Sequence, residues 1–167
     1  MIHAPISHAL FFATVQNKLH YAIHEHTAAE IIYDRVDCDK PFVGMINFKG
    51  DYITKDDVKV AKNYLTENEL QRLNLLVSQF LDFAEFQALE EHPMRMTDWI
   101  AALDNQIISL QRKLLEGKGS VSHQETIEKA EREFNIYRQR EMEQLESDFD
   151  KMVKRLPKRG NSSSNIK

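Results

Sequence analysis

The sequence predicts a mainly α protein: a multi-helix bundle with a small loop or hairpin insertion near residues 38–53 and a long charged C-terminal helix. Three observations carry that expectation. Glycine and proline are scarce, 5 and 4 in 167 residues, which suits long helices and few turns. Four Ser/Thr-x-x-acid patterns, Thr27-x-x-Glu30, Thr54-x-x-Asp57, Thr66-x-x-Glu69 and Ser122-x-x-Glu125, have the form of the reciprocal cap that satisfies the free N–H groups of a helix start. Each of the four precedes apolar residues recurring at helical spacing.

The first helix is expected to begin near Pro5 to Ser7, where a proline loses no hydrogen bond. It carries Phe11, Val15, Leu19, Ala22 and Ile23 on its apolar side and ends at His24 to His26. Thr27 caps a short helix to about Arg35, burying Ala28, Ile31 and Ile32. Asp37 to Ile53 contains Pro41, Gly44 and Gly50, lacks helical spacing, and reads as a loop with a small hairpin. A short helix is expected over Lys55 to Tyr64. Thr66 then opens a helix to about Glu90 whose leucines and phenylalanines cover most of its circumference, the pattern of a central helix buried on more than one side. Met96 or Thr97 opens the next, with Trp99, Leu103, Ile107, Leu110 and Leu114 in register until Gly117 and Gly119 stop it. From Ser122 to about Leu156 the chain is highly charged, yet Ile127, Ala130, Phe134, Tyr137, Leu145, Phe149, Met152 and Leu156 still recur, with a slip of phase at Glu141 and Met142.

These elements divide the chain into a helical core, 1–120, a long amphipathic helix, 121–156, that packs on the core or self-associates, and a disordered basic tail, 157–167. The apolar fraction, 42%, supports an ordinary core. The formal charge of −4 argues against a nucleic-acid surface spread over the whole chain. One cysteine, Cys38, makes neither an internal disulfide nor a cysteine-rich zinc site. Without a signal-like or membrane-length apolar run the chain reads as cytoplasmic, with no membrane partner and no cofactor.

Candidate sites are few. His20 and His24, four apart, would share a helix face as a zinc pair does, with His26 or Glu30 as a third ligand. The glutamate of a metalloprotease helix is missing, because Tyr21 follows His20, and helix-end histidines favoured by the dipole are the preferred reading. Gln16, Asn17 and Lys18 are either a recognition cluster or hydrogen-bonding groups that fix the core; the second is preferred, since an unpaired buried amide costs about 1–3 kcal/mol. Asp82 and Glu85, three apart, suit an acid/base pair or a divalent ion, but such carboxylates more often cap helices or meet Lys and Arg. Lys151, Lys154, Arg155, Lys158 and Arg159 form a basic run suited to weak nucleic-acid contact or, more simply, to a helix C-terminus. There is no phosphate-binding glycine loop and no nucleophile elbow.

The strings FFATVQNKLHYAI, TAAEII, KPFVG, AKNYLTENEL, LDFAEFQA, PMRMTDWI and SHQETIEKAEREF occur in that order. Together they resemble the RhuM virulence-protein family of bacteria over roughly Leu10 to Arg138. The resemblance implies a cytosolic protein often encoded on genomic islands or beside restriction-modification genes. Members are commonly described as candidate DNA-binding proteins, with no established biochemical activity. It also implies that complete members carry a preceding winged-helix-like region that this chain, opening almost on FFATVQNK, does not include. The family pattern matches Gln16, Asn17, Lys18, Thr27, Glu30, Lys62, Asn63, Tyr64, Asp82, Glu85 and Trp99, which places any site where the first helix meets the third and fourth. It does not require histidine at 24 to 26, which lowers the metal reading further. The leading expectation is a regulatory or assembly domain forming a homo-oligomer through the last helix and meeting nucleic acid only indirectly or weakly. The alternative is a metal-dependent enzyme acting on nucleic acid or nucleotides.

Overall fold

The computed structural model describes residues 7–155. Among them are five α-helices and no strand: α1 His8–His24, α2 Ala28–Arg35, α3 Glu67–Leu89, α4 Met96–Ser109 and α5 His123–Arg155. Pro5 and the tail from 156 onward, including Lys158 and Arg159, lie outside the described residues.

All four cap patterns form. The Thr27 N–H donates to Glu30 Oε2 at 2.7 Å, and the Glu30 N–H to Thr27 Oγ1 at 3.3 Å. Thr66 and Glu69 repeat this at 2.8 and 3.3 Å, and Ser122 and Glu125 at 2.9 and 3.2 Å. The fourth cap, with Thr54 N–H on Asp57 Oδ2 at 2.8 Å, does not open the expected α-helix. It leads into two 3₁₀ turns, Asp57–Lys59 and Ala61–Tyr64. The cause is competition for carbonyls. Asn63 Nδ2 donates to the Asp57 carbonyl at 2.9 Å, and Tyr64 Oη to the Val58 carbonyl at 2.8 Å, so two acceptors of an α-helical ladder are taken by side chains.

The expected hairpin is likewise replaced by a 3₁₀ turn at Pro41–Gly44. Phe42 and Val43 stand there at φ 52° and 59°, a region a β-branched residue seldom enters. Burial holds Val43 in place: it is wholly enclosed, its N–H donates to the Lys40 carbonyl, and its carbonyl accepts from Asp37 N–H, both at 3.1 Å. A Cβ on the following Gly44 would collide with the Arg35 carbonyl, so glycine lets this turn close against the end of α2.

The turns contribute more to the core than their composition suggests. Val43, Met45, Val58, Ala61, Tyr64 and Leu65 are buried with Leu19, Ala22, Ile31, Ile32, Leu103, Ile107, Ala130 and Phe134. The central element is therefore α2, which packs on α5, α1 and the Ala61–Tyr64 turn. The expectation that α3 is central fails. Only Leu73 and Leu76 are buried on it, while Leu75, Leu81, Phe86 and Leu89 face outward, because α3 packs mainly against α1.

Helix α4 also stops earlier than expected, at Ser109 rather than near Leu114. Gln111 enters the left-handed region at φ 57°, and the Arg112 N–H returns to the Ile107 carbonyl at 3.1 Å. This is a Schellman end built without glycine. The end of α3 does the same with Glu91 at φ 54° and a His92 N–H to Gln87 carbonyl bond at 3.1 Å. Both residues are exposed. Gln111→Gly and Glu91→Gly are each expected to stabilise the fold and raise Tm by about 2–4 °C in thermal denaturation. Unchanged or lower Tm values would mean these ends carry no strain.

Candidate functional site

The three histidines do not converge. His20 Nδ1 and His24 Nε2 lie 3.1 Å apart, a hydrogen bond in which one ring donates and the other accepts. His24 Nδ1 is buried without a partner among the described residues. An unprotonated Nδ1 leaves no orphan donor, so His24 Nε2–H donates to His20 Nδ1. Burial pushes both rings down to about 4, and for His24 the neighbouring His20 adds to this against the opposing pull of Glu69. His26 turns away, with its Nδ1 2.7 Å from the carbonyl of His24. Glu69 is engaged in a bidentate pair with Arg35, both bonds 2.7 Å, and Arg35 also donates to the Tyr64 carbonyl at 2.8 Å. That guanidinium holds the Glu69 carboxyl at about 2.

The residues matching the family pattern separate into those that join elements and those that face outward. Asn17 Oδ1 accepts from the Ala28 N–H at 3.3 Å and so fixes the α1–α2 corner. Lys18 pairs with Asp104 at 2.8 Å, tying α1 to α4. Thr27 and Glu30 cap α2, and Glu30 Oε1 also accepts from the N–H and hydroxyl of Ser120, at 2.6 and 2.8 Å. Burial alone would raise its carboxyl, but the bonds from Ser120 and Thr27 hold it below the usual range. Asn63 and Tyr64 brace the 3₁₀ turns, while Trp99 meets the rings of Phe80 and Phe83 edge-on at 6.0 Å. Gln16, Lys62, Asp82 and Glu85 are exposed on three separate elements. Among the described residues no common pocket therefore gathers them where α1 meets the Asp57–Tyr64 turns and α3, the elements that stand where the third and fourth helices were expected. A surface hollow of about 850 Å³ lies instead over α1, α2 and the segment after α4; of the matching set it takes only Glu30, whose oxygens are already occupied.

Besides the outward apolar side chains of α3, a longer surface without a partner among the described residues is on α5. Its first half belongs to the core: Thr126, Ala130 and Phe134 are buried, Glu131 meets Lys59 at 2.8 Å and Lys55 at 3.0 Å, and Thr126 Oγ1 donates to the Ala29 carbonyl at 3.1 Å. After Tyr137 every described residue is exposed, although the helix continues to Arg155. That free half extends roughly 27 Å at the α-helical rise. Along it Met142, Leu145, Phe149 and Met152 stand 53%, 69%, 65% and 63% exposed. Their spacing of three, four and three is a heptad seam. The slip at Glu141 and Met142 now has a structural meaning. The core-facing row Ala130, Phe134 and Tyr137 leads to Glu141, and the free row starts one residue later, turned by about 100° around the helix. Lys154 and Arg155 stand exposed at its end. No helix among the described residues is long and apolar enough to cross a membrane.

Fold and surface together define an all-α bundle with a projecting amphipathic arm. The model of the virulence protein RhuM family matches residues 3–145, and the chain belongs to that family. The match ends inside the free half of α5, so it includes Met142 and Leu145 but not Phe149 and Met152. No curated protein and no solved structure matches the chain.

Proposed function

We propose that this RhuM-family chain is an assembly domain that associates with a second copy through the free half of α5, and that it works in the bacterial cytoplasm beside a DNA-binding region of the complete protein. The observation that carries the reading is the exposed heptad seam of Met142, Leu145, Phe149 and Met152, on a helical segment with no core of its own. An isolated helical segment of that length is marginal in water, and pairing its seam removes apolar surface from solvent. Contact of Lys154 and Arg155 with nucleic acid is secondary in this account, and so is the role of the basic tail. A metal-dependent enzyme would call for Gln16, Asn17, Glu30, Lys62, Asp82 and Glu85 around one point; Asn17 and Glu30 are instead occupied by backbone N–H groups, and Gln16, Lys62, Asp82 and Glu85 are exposed on α1, the Ala61–Tyr64 turn and α3.

Light scattering across a concentration series tests the proposal. The wild-type chain is expected to be a dimer or larger at tens of micromolar. Leu145→Glu with Phe149→Glu is expected to be a monomer, weakened by about a thousandfold or more, since two large side chains per copy lose their burial. Its thermal unfolding as a monomer should stay unchanged, because both residues are largely exposed and pack on no other element among the described residues. A wild-type chain that is strictly monomeric at high concentration contradicts the proposal, as does a variant that still associates.

A further inference from the structure

Resting on that assembly reading, we infer that the two copies pair their α5 arms antiparallel, with the basic end of each arm seated on an acidic collar at the base of the other. The free half is electrically polar along its length. Five acids fall between Glu141 and Asp150, and three cations between Lys151 and Arg155. A parallel pair would lay the acids along the same acids and the cations along the same cations, with Glu141 set against Glu146 of the second copy, and would bring no opposite charges together. Reversing one arm brings Glu141 and Glu143 of each copy to the basic end, Lys151 to Arg155, of the other, while Glu146 and Asp148 face their own equivalents only beside the axis.

The seam itself accommodates this reversal. With the symmetry axis beside Ser147, Met142 of one copy lies in the layer of Met152 of the other, and Leu145 in the layer of Phe149. Layers of similar volume pack without leaving a void. In the same register Arg155 falls beside Glu141 of the second copy. Lys154 and Arg155 then reach the base of the second arm, where Arg140 is paired with Asp39. Asp37, Cys38 and Asp39 cluster there within 4.8 Å of one another, with Asp39 74% exposed on its side chain. Its own chain supplies Arg140 and Lys40, the latter 3.8 Å from Asp37, beside the three carboxylates of Asp37, Asp39 and Glu133, which leaves the cluster a counter-charge for the partner's basic end.

Disulfide trapping tests the orientation. In a Cys38→Ser background, copies carrying Met142→Cys are mixed with copies carrying Met152→Cys in a glutathione redox buffer. The expected product is the mixed 142–152 cross-link, with the like–like 142–142 and 152–152 products lost. Like–like products would show a parallel pair and overturn the inference while leaving the assembly role standing. A dimer that forms none of the three cross-links overturns this register. A monomer by sedimentation, in wild type, overturns the assembly reading itself. Charge reversal provides a second readout independent of the thiols. Arg155→Glu is expected to weaken the dimer about tenfold, and adding Glu141→Arg in the same chain is expected to restore it. Without that rescue the antiparallel contact is refuted, because only reversal of one arm brings position 141 near position 155.

Discussion

Replacing Glu30 with alanine is expected to cost about 3 kcal/mol of stability, several times the effect of an ordinary surface carboxylate. Its carboxylate accepts the Thr27 N–H at the start of α2 and both donors of Ser120, a residue ninety positions further on. Loss of a helix cap alone costs about 1 kcal/mol. The bonds to Ser120 are charge-assisted and short, and each is of the kind that contributes about 1.5–3 kcal/mol. The same contact closes the segment after α4 over α2. Gly119 is pressed there so closely that a Cβ would stand 2.8 Å from Thr27 Cγ2 and 2.9 Å from Glu30 Oε1. Urea unfolding of Glu30→Ala, Glu30→Gln and Thr27→Ala separates the contributions. Glu30→Ala should be the most costly. Glu30→Gln, which keeps an acceptor but loses the charge, should be intermediate. If Glu30→Ala costs no more than Thr27→Ala, the bonds to Ser120 contribute nothing and the loop is held by other means.

Acid is expected to loosen the fold in two separate windows, the first of them set by the histidine pair. Burial lowers His20 and His24 from an ordinary value near 6.5 to about 4. The unfolded chain then binds more protons than the folded one between these values, so stability falls as pH falls through that window. The contribution is fully present above 6.5 and gone below 4. For His20, almost wholly buried, it amounts to about 3 kcal/mol. His24 shares the same hydrogen bond, so its proton and that of His20 titrate as a pair. The second window belongs to Glu69, whose carboxyl Arg35 lowers from 4.5 to about 2. Its stabilisation is present above 4.5 and is lost as pH falls toward 2. Urea midpoints at pH 7.5, 5.5 and 4.5 read the first window. The wild type should lose about 3 kcal/mol or more across it, and His20→Gln should lose clearly less, keeping only the part set by the burial of His24. A wild-type chain equally stable at pH 7.5 and 4.5 would mean that the pair is hydrated and charges freely.

Helix starts were the most legible part of this fold, because the capping acids declare themselves by spacing. Thr27, Thr66 and Ser122 each open a helix with the acid three residues later in place. Thr54 shows the limit of that signal. Its cap forms, but Asn63 and Tyr64 claim the next carbonyls from six residues away, and nothing local announces that claim. The misreading of α3 has a different origin. Apolar residues around a helix signify burial on several sides only if neighbours are present, and composition does not count neighbours. Here α2, short and with a single cap, takes the centre, assisted by turns whose glycine and proline read as surface loop. For α4, Gln111 adopts a conformation that glycine would advertise, so its end at Ser109 carried no mark.

The candidate residues were legible as a set and not as a site. Asn17, Lys18, Thr27, Glu30, Asn63 and Tyr64 each meet a backbone group or an opposite charge from another turn of the chain, and those partners lie as far away as Asp104 and Ser120. No one-dimensional spacing reveals such pairings. The arm was visible earlier, as a stripe with a phase slip, but the slip did not say which half is free. Packing decides it: the first row meets α2 and the turns, and the second, rotated away, meets no other element among the described residues.

Hydrogen exchange of the α5 amides as a function of protein concentration tests the assembly claim most directly. Amides from Thr126 to Phe134 are held by the core and should exchange slowly at every concentration. Amides from Met142 to Met152 should exchange rapidly in dilute solution, where the arm frays, and become protected as concentration rises and arms pair. Rapid exchange of that segment at all concentrations, with the first half of α5 still protected, would contradict the account.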